Sequence, residues 1–302
     1  MKVKILGTDG KEKGSVDLPQ QFKEEKRADV LKKVREATLA NQRQPYGSQP
    51  HAGMRHSADL SRRRRDYRGS YGHGISRVPR KIMSRRGTRF NWVAAVAPGT
   101  VGGRRAHPPK ASKIWNKKIN TKEKRLAIRS ALSFNVDKEY LLTRGFFVPI
   151  HYPFILANDY EKLTKTKEVI SAFASIGLEK ELARGGKKSI RPGRGKSRGR
   201  KYKKSKGPLL VVSEDCMISK SARNISGIDV INVKQLSIPL LCPGPEPGRI
   251  TLFTEQALKH LVDHGLYLSE KVKSISPKKD TTEKARTVAK QAPQKTQSLK
   301  GK

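Results

Sequence analysis

Apolar and polar residues alternate over Lys2 to Leu6, with Val3 and Ile5 on one side. After the Asp9-Gly10 turn signal, Ser15-Val16-Asp17-Leu18 repeats the alternation. The chain therefore opens with a predicted β-hairpin. From about Arg27 to Asn41 the period lengthens. Val30, Leu31, Val34 and Ala37 recur at helical spacing, Ala40 stands near the end and Asp29 near the start, which predicts an amphipathic helix. A second helix is expected from Asn120, where Asn120 and Glu123 fit the capping-box pattern. Its apolar stripe is Leu126, Ala127, Ile128, Ala131, Leu132 and Phe134.

Beyond that helix, strands and helices alternate. Phe146-Phe147-Val148 and Pro153 to Ala157 predict a strand region kinked by Pro149 and Pro153. A helix carrying Val169, Ile170, Phe173 and Ile176 follows and ends at Gly177. Pro208 to Val212 is apolar on both faces, as a strand covered by helices on each side must be. Ile218, Ala222 and Ile225 predict a short crossover helix before a strand at Asp229 to Val233. After the Pro-rich Pro243 to Gly248 loop, Arg249 to Phe253 reads as the last strand. Thr254-Glu255 then caps a helix bearing Ala257, Leu258, Leu261 and Val262. This order implies an α/β fold, a mostly parallel sheet with flanking helices. The globular body spans residues 1–41 and 119–270, and the 271–302 tail has little to bury and is expected to be mobile. No internal repeat is present.

The stretch from residues 42–118 interrupts this pattern. It shows no hydrophobic period, and its only acids are Asp59 and Asp66. Its cations include Arg55, Arg62, Arg63, Arg64, Arg65, Arg68, Arg77, Arg80, Arg104, Arg105 and Lys110. It is expected to be an extended arginine-rich loop with no core of its own, because ordering each residue costs roughly 1–2 kcal/mol of backbone entropy. A partner must supply the order. A second basic loop, residues 184–207, contains no acid between Arg184 and Lys206 and carries Arg191, Arg194, Lys196, Arg198, Arg200, Lys201, Tyr202, Lys203 and Lys204.

The net charge of +40 over 302 residues, with a pI near 10.5, points to a polyanion as that partner. A membrane surface would call for a basic amphipathic helix or juxtamembrane cluster, and neither occurs. No run of about 18 apolar residues is present, and Met1 to Ile5 lacks the apolar core of a secretory signal. The reading is cytoplasmic, with no membrane partner. Cys216 and Cys242 lack CxxC spacing, which argues against a disulfide framework or structural zinc and for small buried apolar side chains.

Arginine grips phosphate oxygens with a planar fork and stacks on bases, while interleaved glycine lets backbone approach a crowded surface. Arg68-Gly69-Ser70-Tyr71-Gly72-His73-Gly74 and Gly193 to Lys204 combine both. Tyr67, Tyr71, Phe90, Trp92 and Tyr202 are available for stacking on unpaired bases, which favours folded RNA over duplex DNA. Enzyme signals fail. Gly195-Lys196-Ser197 ends like a phosphate loop, but Ile190 occupies the first-glycine position. His260 and His264 have i, i+4 spacing, yet Leu261 follows His260 where a glutamate base is required. Glu214-Asp215 lacks a third acid and reads as turn and cap chemistry. No catalytic residue, cofactor or metal is expected. From the residues alone, another RNA-binding protein or a nucleic-acid processing protein with an α/β domain stays open as the alternative, as does a general DNA-compacting protein.

Several segments carry a family likeness. Gly102-Gly103-Arg104-Arg105-Ala106-His107-Pro108-Pro109-Lys110, then Asn120 through Ala131, resemble the archaeal form of the large-subunit ribosomal protein four family. So do Gly193 to Lys204 running into the Leu209 strand, and Ser221-Ala222-Arg223-Asn224 leading to Gly227-Ile228-Asp229-Val230. The likeness covers about Met1 to Tyr267. Arg62 to Arg65, Tyr67 and Tyr71 depart from the family's loop, and no role is carried onto the tail. The resemblance implies a structural constituent of the large subunit that binds ribosomal RNA, supports assembly, touches neighbouring large-subunit proteins, and lines the peptide exit tunnel with its long loop. By position, the loop tip facing the nascent peptide spans Arg85 to Val96, with Arg85, Arg86, Arg89, Phe90 and Trp92 as tunnel-lining candidates.

Overall fold

The computed structural model describes residues 1–268, and the 271–302 tail lies outside the described residues. The chain divides into two compact units, Met1–Arg35 with the residues from Ile119 onward, and Glu36–Lys118. In chain order the elements are β1 (Lys2–Leu6), β2 (Glu12–Asp17), α1 (Ala28–Asn41), β3 (Arg80–Arg86), β4 (Arg89–Ala94), α2 (Thr121–Val136), α3 (Lys138–Thr143), β5 (Phe154–Leu156) and α4 (Thr166–Ser175). They continue as α5 (Glu179–Gly186), β6 (Lys188–Ile190), β7 (Tyr202–Lys204), β8 (Leu209–Val212), α6 (Met217–Arg223), β9 (Asp229–Asn232), α7 (Ile238–Leu241), β10 (Thr251–Thr254) and α8 (Glu255–Asp263).

The first unit is built on a six-stranded sheet in the order β2-β1-β5-β10-β8-β9. All neighbouring pairs are parallel except β1 and β2, the predicted hairpin, which closes one edge antiparallel. Alternate residues of the inner strands enter opposite cores. Ile155, Leu209, Val211 and Phe253 pack with α1, α2 and α8, including Leu31, Ala131 and Leu261. Phe154, Leu156, Leu210, Val212 and Leu252 pack with α4 and α6, including Phe173, Ile218 and Ala222. Each fully buried Leu, Val or Phe contributes about 1.5–3 kcal/mol relative to its exposed state. That accounts for the doubly apolar reading of Leu209 to Val212, all four of which are buried.

Several expectations are corrected here. Phe146-Phe147-Val148 forms no strand, and the region shortens to β5, which begins directly after Pro153; two prolines lack the N–H that a ladder needs. Helix α2 does start after Asn120, but the Asn120 side chain makes no capping bond. Glu123 instead pairs with Lys33 at 2.6 Å. Leu126 is only half-buried. In α4 the buried face is Val169, Ala172 and Phe173, continued by Ile176, which leaves Ile170 exposed. Val262 of α8 is likewise exposed. Thr254 does cap α8, accepting from the Ala257 N–H at 3.3 Å.

Polar side chains complete the interior. Arg249 has no exposed surface, and its guanidinium donates to Gly207 O (2.7 Å), Leu240 O (2.9 Å) and Pro208 O (3.3 Å) and pairs with Asp229 at 2.7 Å. Its backbone N–H donates to buried Asn135. One arginine thus joins the approach to β8, the start of β9 and the approach to β10. Cys242 is buried and its thiol is pushed up to about 11 by that burial, whereas Cys216 is only half-buried; both are free. Among the described residues no helix is long and apolar enough to cross a membrane.

Replacing Arg249 with alanine strips one partner from a buried pair and is expected to cost about 3–5 kcal/mol, read as a lowered urea midpoint. Burial opposes the Asp229 charge, but Lys206 and Arg249 outweigh it and hold its pKa below the ordinary 3.8. This stabilisation is complete above the unfolded value and lost as pH falls through the lower folded one. Unfolding free energy measured against pH should therefore drop as pH goes below 3.8, and Asp229→Asn should remove that part of the slope.

Candidate nucleic-acid interface

Within the second unit, the run Arg89-Phe90-Asn91-Trp92-Val93-Ala94 alternates after all. Phe90, Trp92 and Ala94 turn to the sheltered side and Arg89, Asn91 and Val93 to the exposed one. The expectation that this whole stretch lacks a hydrophobic period is corrected: β3 and β4 form an antiparallel hairpin pairing Ile82 with Trp92 and Arg85 with Phe90. The period escapes notice because so many of its neighbours are cations. Gly87, at φ 56°, occupies the first position of the two-residue turn, a geometry whose twist suits a hairpin. A register shift after Ile82 leaves Met83 exposed.

The segments on either side of the hairpin lie side by side. Asn41 accepts from the Lys117 N–H at 2.7 Å and donates back to its carbonyl at 3.2 Å. Ser48 N donates to Pro109 O, and Arg104 N to Val96 O. Gly53, at φ 77°, is approached so closely by the Arg104 backbone that a Cβ there would sit 2.6 Å from it. No large core results. Of residues 36–118, only Ala37, Ser70 and Ala95 are buried, as the composition requires.

The predicted contact residues are accordingly on the surface. Arg62, Arg63, Arg64, Arg65, Arg77, Arg85, Arg86, Arg89, Arg104, Arg105 and Lys110 are exposed, and Arg55 is exposed while donating to Gln49. Arg80 is half-buried and held by Ser76 at 3.0 Å. Between residues 42 and 118, only Arg68 has an ion-pair partner among the described residues, Asp59 at 3.3 Å. The other acid, Asp66, is engaged by the Ser61 hydroxyl and the Tyr67 N–H, which hold its carboxyl below the usual range. Beside it Arg65 and Arg68 adopt left-handed φ values of 55° and 60°. Such a conformation costs a non-glycine residue on the order of 1–3 kcal/mol.

Aromatic rings are gathered by this framework. Tyr67 meets Phe90 edge to face at 5.3 Å, and Phe90 lies 5.3 Å from Trp92. Arg85 donates to the Tyr67 hydroxyl at 2.8 Å. A further cluster was not foreseen from the sequence. The Arg43 guanidinium lies 3.8 Å from the Trp115 ring, which stacks with Tyr46 at 20° between planes. Its only sequence signal is Arg43 and Tyr46 at one end of the stretch against Trp115 at the other.

The second basic segment belongs to the first unit and is a hairpin, not a plain loop. Arg184 still lies in α5, where it grips the fully buried Glu181 at 2.6 and 2.8 Å. Strands β6 and β7 then pair antiparallel from Lys188 with Lys204 to Ile190 with Tyr202. Arg191 is half-buried, its N–H groups given to the Arg200 and Tyr202 carbonyls. Arg194, Lys196, Arg198, Arg200, Lys201, Tyr202, Lys203 and Lys204 are exposed. The hairpin root is a close meeting of glycine backbones: Gly207 N donates to Gly227 O at 2.9 Å, and a Cβ on Gly227, at φ 93°, would sit 2.9 Å from Gly185 Cα.

The arrangement presents cations and aromatic edges without counter-charge, which suits polyanion binding. Glu214 faces Lys234 at 3.6 Å, and among the described residues no cluster of three or more His, Cys, Asp or Glu is placed to hold a metal. His260 and His264 stack on each other at 5.2 Å.

The chain is similar in sequence to known proteins. The family model described as Ribosomal protein L4/L1 family matches residues 16–264. A large ribosomal subunit protein uL4 from Nanoarchaeum equitans is 44% identical over 268 residues, covering 88% of this chain and all of that protein. Proteins of the same name from Archaeoglobus fulgidus and Methanococcoides burtonii are 39% and 40% identical, over 86% and 87% of this chain and 98% of each of theirs.

Gly227→Ala is expected to force the glycine backbones apart at the root of the second hairpin and to cost on the order of 1–3 kcal/mol from the left-handed φ alone. Hydrogen exchange should show faster amide exchange at Arg191 and Gly207. Unchanged protection there would mean the root does not depend on that approach.

Proposed function

The chain belongs to the ribosomal protein L4/L1 family, and from that premise we propose that it serves the cytoplasmic ribosome as a structural component of the large subunit that binds ribosomal RNA. It is not an enzyme. The observation that carries the RNA reading is charge without counter-charge. The cations of residues 42–118 are exposed except for the half-buried Arg68, Arg80 and Lys81, and only Arg68 has an ion-pair partner among the described residues. The second hairpin repeats this arrangement with Arg194 to Lys204. Phosphate oxygens satisfy arginine forks in pairs, and release of condensed counterions drives the binding.

On this reading the Arg85 to Val96 hairpin tip lines the peptide exit tunnel. Arg85, Arg86 and Arg89 face RNA and the passing nascent chain, with Phe90 and Trp92 behind them. The support is the tip's position in the family's long loop and its exposed arginines on a defined turn. Neighbouring large-subunit proteins and ribosomal RNA share the remaining surface.

Binding of the full chain to structured ribosomal RNA should weaken linearly in log affinity against log salt. Changing Arg62 to Arg65 together to alanine should lower that slope by about 0.7–0.9 for each phosphate that these side chains neutralise. An unchanged slope removes those four residues from the interface. In a density map of assembled large subunits, Arg85 to Val96 is expected at the tunnel wall, and any other location refutes the tunnel placement without touching RNA binding.

A further inference from the structure

Beside the β3–β4 hairpin lies a cleft of about 750 Å³, walled by Tyr67, Phe90 and Trp92 and rimmed by Arg65, Arg68 and Arg89. That volume is within the roughly 300–1,000 Å³ range of small-molecule sites. Three features make it more than a gap between basic loops. The rings are held edge to face or tilted at 5.3 Å rather than stacked on one another, and planar guanidinium groups already lie near two of them, Arg68 at 5.5 Å from the Tyr67 ring and Arg80 at 5.9 Å from the Trp92 ring. Tyr67 is fixed from two sides, by the Arg85 bond to its hydroxyl and by the Asp66 carboxylate accepting from its N–H at 2.8 Å. Arg65 and Arg68 hold left-handed backbone conformations on either side of it. Left-handed backbone at two arginines flanking one aromatic residue at the mouth of a cleft is the kind of strain that clusters at functional sites.

We propose that this cleft captures one unpaired RNA nucleotide, its base stacked among Tyr67, Phe90 and Trp92 and its phosphates held by Arg65, Arg68 and Arg89. The proposal rests on the RNA-binding reading above and adds a ligand class and a pocket to it. A peptide supplies neither the flat unsaturated ring at every residue nor the regular negative charge that three arginines around an aromatic wall select. A base-paired duplex keeps its ring faces covered, so the guest is a single-stranded or flipped-out nucleotide. The Asp66 carboxylate, which also lines the cleft, is held ionised by Ser61 and Tyr67, and Arg65, Arg68 and Arg89 outnumber its single negative charge. The chain's two tryptophans are Trp92 and Trp115, so Trp92 is a built-in reporter once Trp115 is silenced.

The test uses the full chain carrying Trp115→Phe, titrated at fixed salt with a single-stranded hexa-adenylate and with an abasic hexamer of equal charge. Hexa-adenylate should quench Trp92 fluorescence and bind roughly tenfold more tightly than the abasic strand, the scale of one stacked base. Tyr67→Leu should abolish the preference between the two strands, while Tyr67→Phe, which keeps the ring, should retain most of it. Equal binding of the two strands, or a preference that survives Tyr67→Leu, overturns the nucleotide site while the electrostatic RNA reading stands. Failure of both strands and of structured ribosomal RNA to bind overturns that wider reading as well. Competition by a neutral aromatic hexapeptide as strong as that by adenosine monophosphate would reassign the cleft to peptide and also overturn the proposal.

Discussion

Positive charge separated from its counter-charge is the constraint on which this molecule depends. Acids are concentrated in the α/β unit, where they are consumed by local partners: Asp229 by Arg249 and Lys206, Glu181 by Arg184, Glu24 by Arg129. The unit from residue 36 to 118 retains Asp59 and Asp66 for its long run of arginines, and both are already engaged. Internal neutralisation is therefore impossible. A polyanion completes the charge balance, and under the proposed function that polyanion is ribosomal RNA.

Rigidity is distributed accordingly. In the α/β unit, alternate strand residues fill two cores and a few buried polar groups set the register of what apolar packing leaves free. Arg249 satisfies three carbonyls and one carboxylate at once. Two of those carbonyls belong to Gly207 and Pro208, which leave the basic hairpin. The exposed basic hairpin is thus anchored by a buried cation. In the second unit there is no comparable core, and shape comes from backbone pairing, ring contacts and the close glycine approach at Gly53. Such devices order a chain without sequestering its arginines.

Aromatic residues serve both units differently. Tyr152 and Tyr160 are buried, donating their hydroxyls to the Asn135 and Gly7 carbonyls, and burial pushes the Tyr152 phenol up to about 12. Tyr67 and Tyr71 stay exposed next to guanidinium groups, with Arg77 lying 4.7 Å from the Tyr71 ring. The same side chain is a core strut where backbone carbonyls surround it and a stacking platform where arginines do.

The amino-acid sequence alone determined the α/β class, the order of the major helices and strands, the Thr254 cap and the two basic segments. All of these rest on local periodicity, turn chemistry and charge, which are written into neighbouring residues. It did not reveal α5, because Glu181 reads as a surface residue and is buried only where Arg184 and the Phe147 N–H satisfy it. Nor did it reveal the β3–β4 hairpin, whose short alternation of Phe90 and Trp92 is hidden among cations. The ring cluster of Tyr67 with Phe90 and the Arg43 contact with Trp115 join residues far apart along the chain. Only the tertiary structure decided those meetings, since which distant side chains touch depends on how the backbone between them turns back on itself.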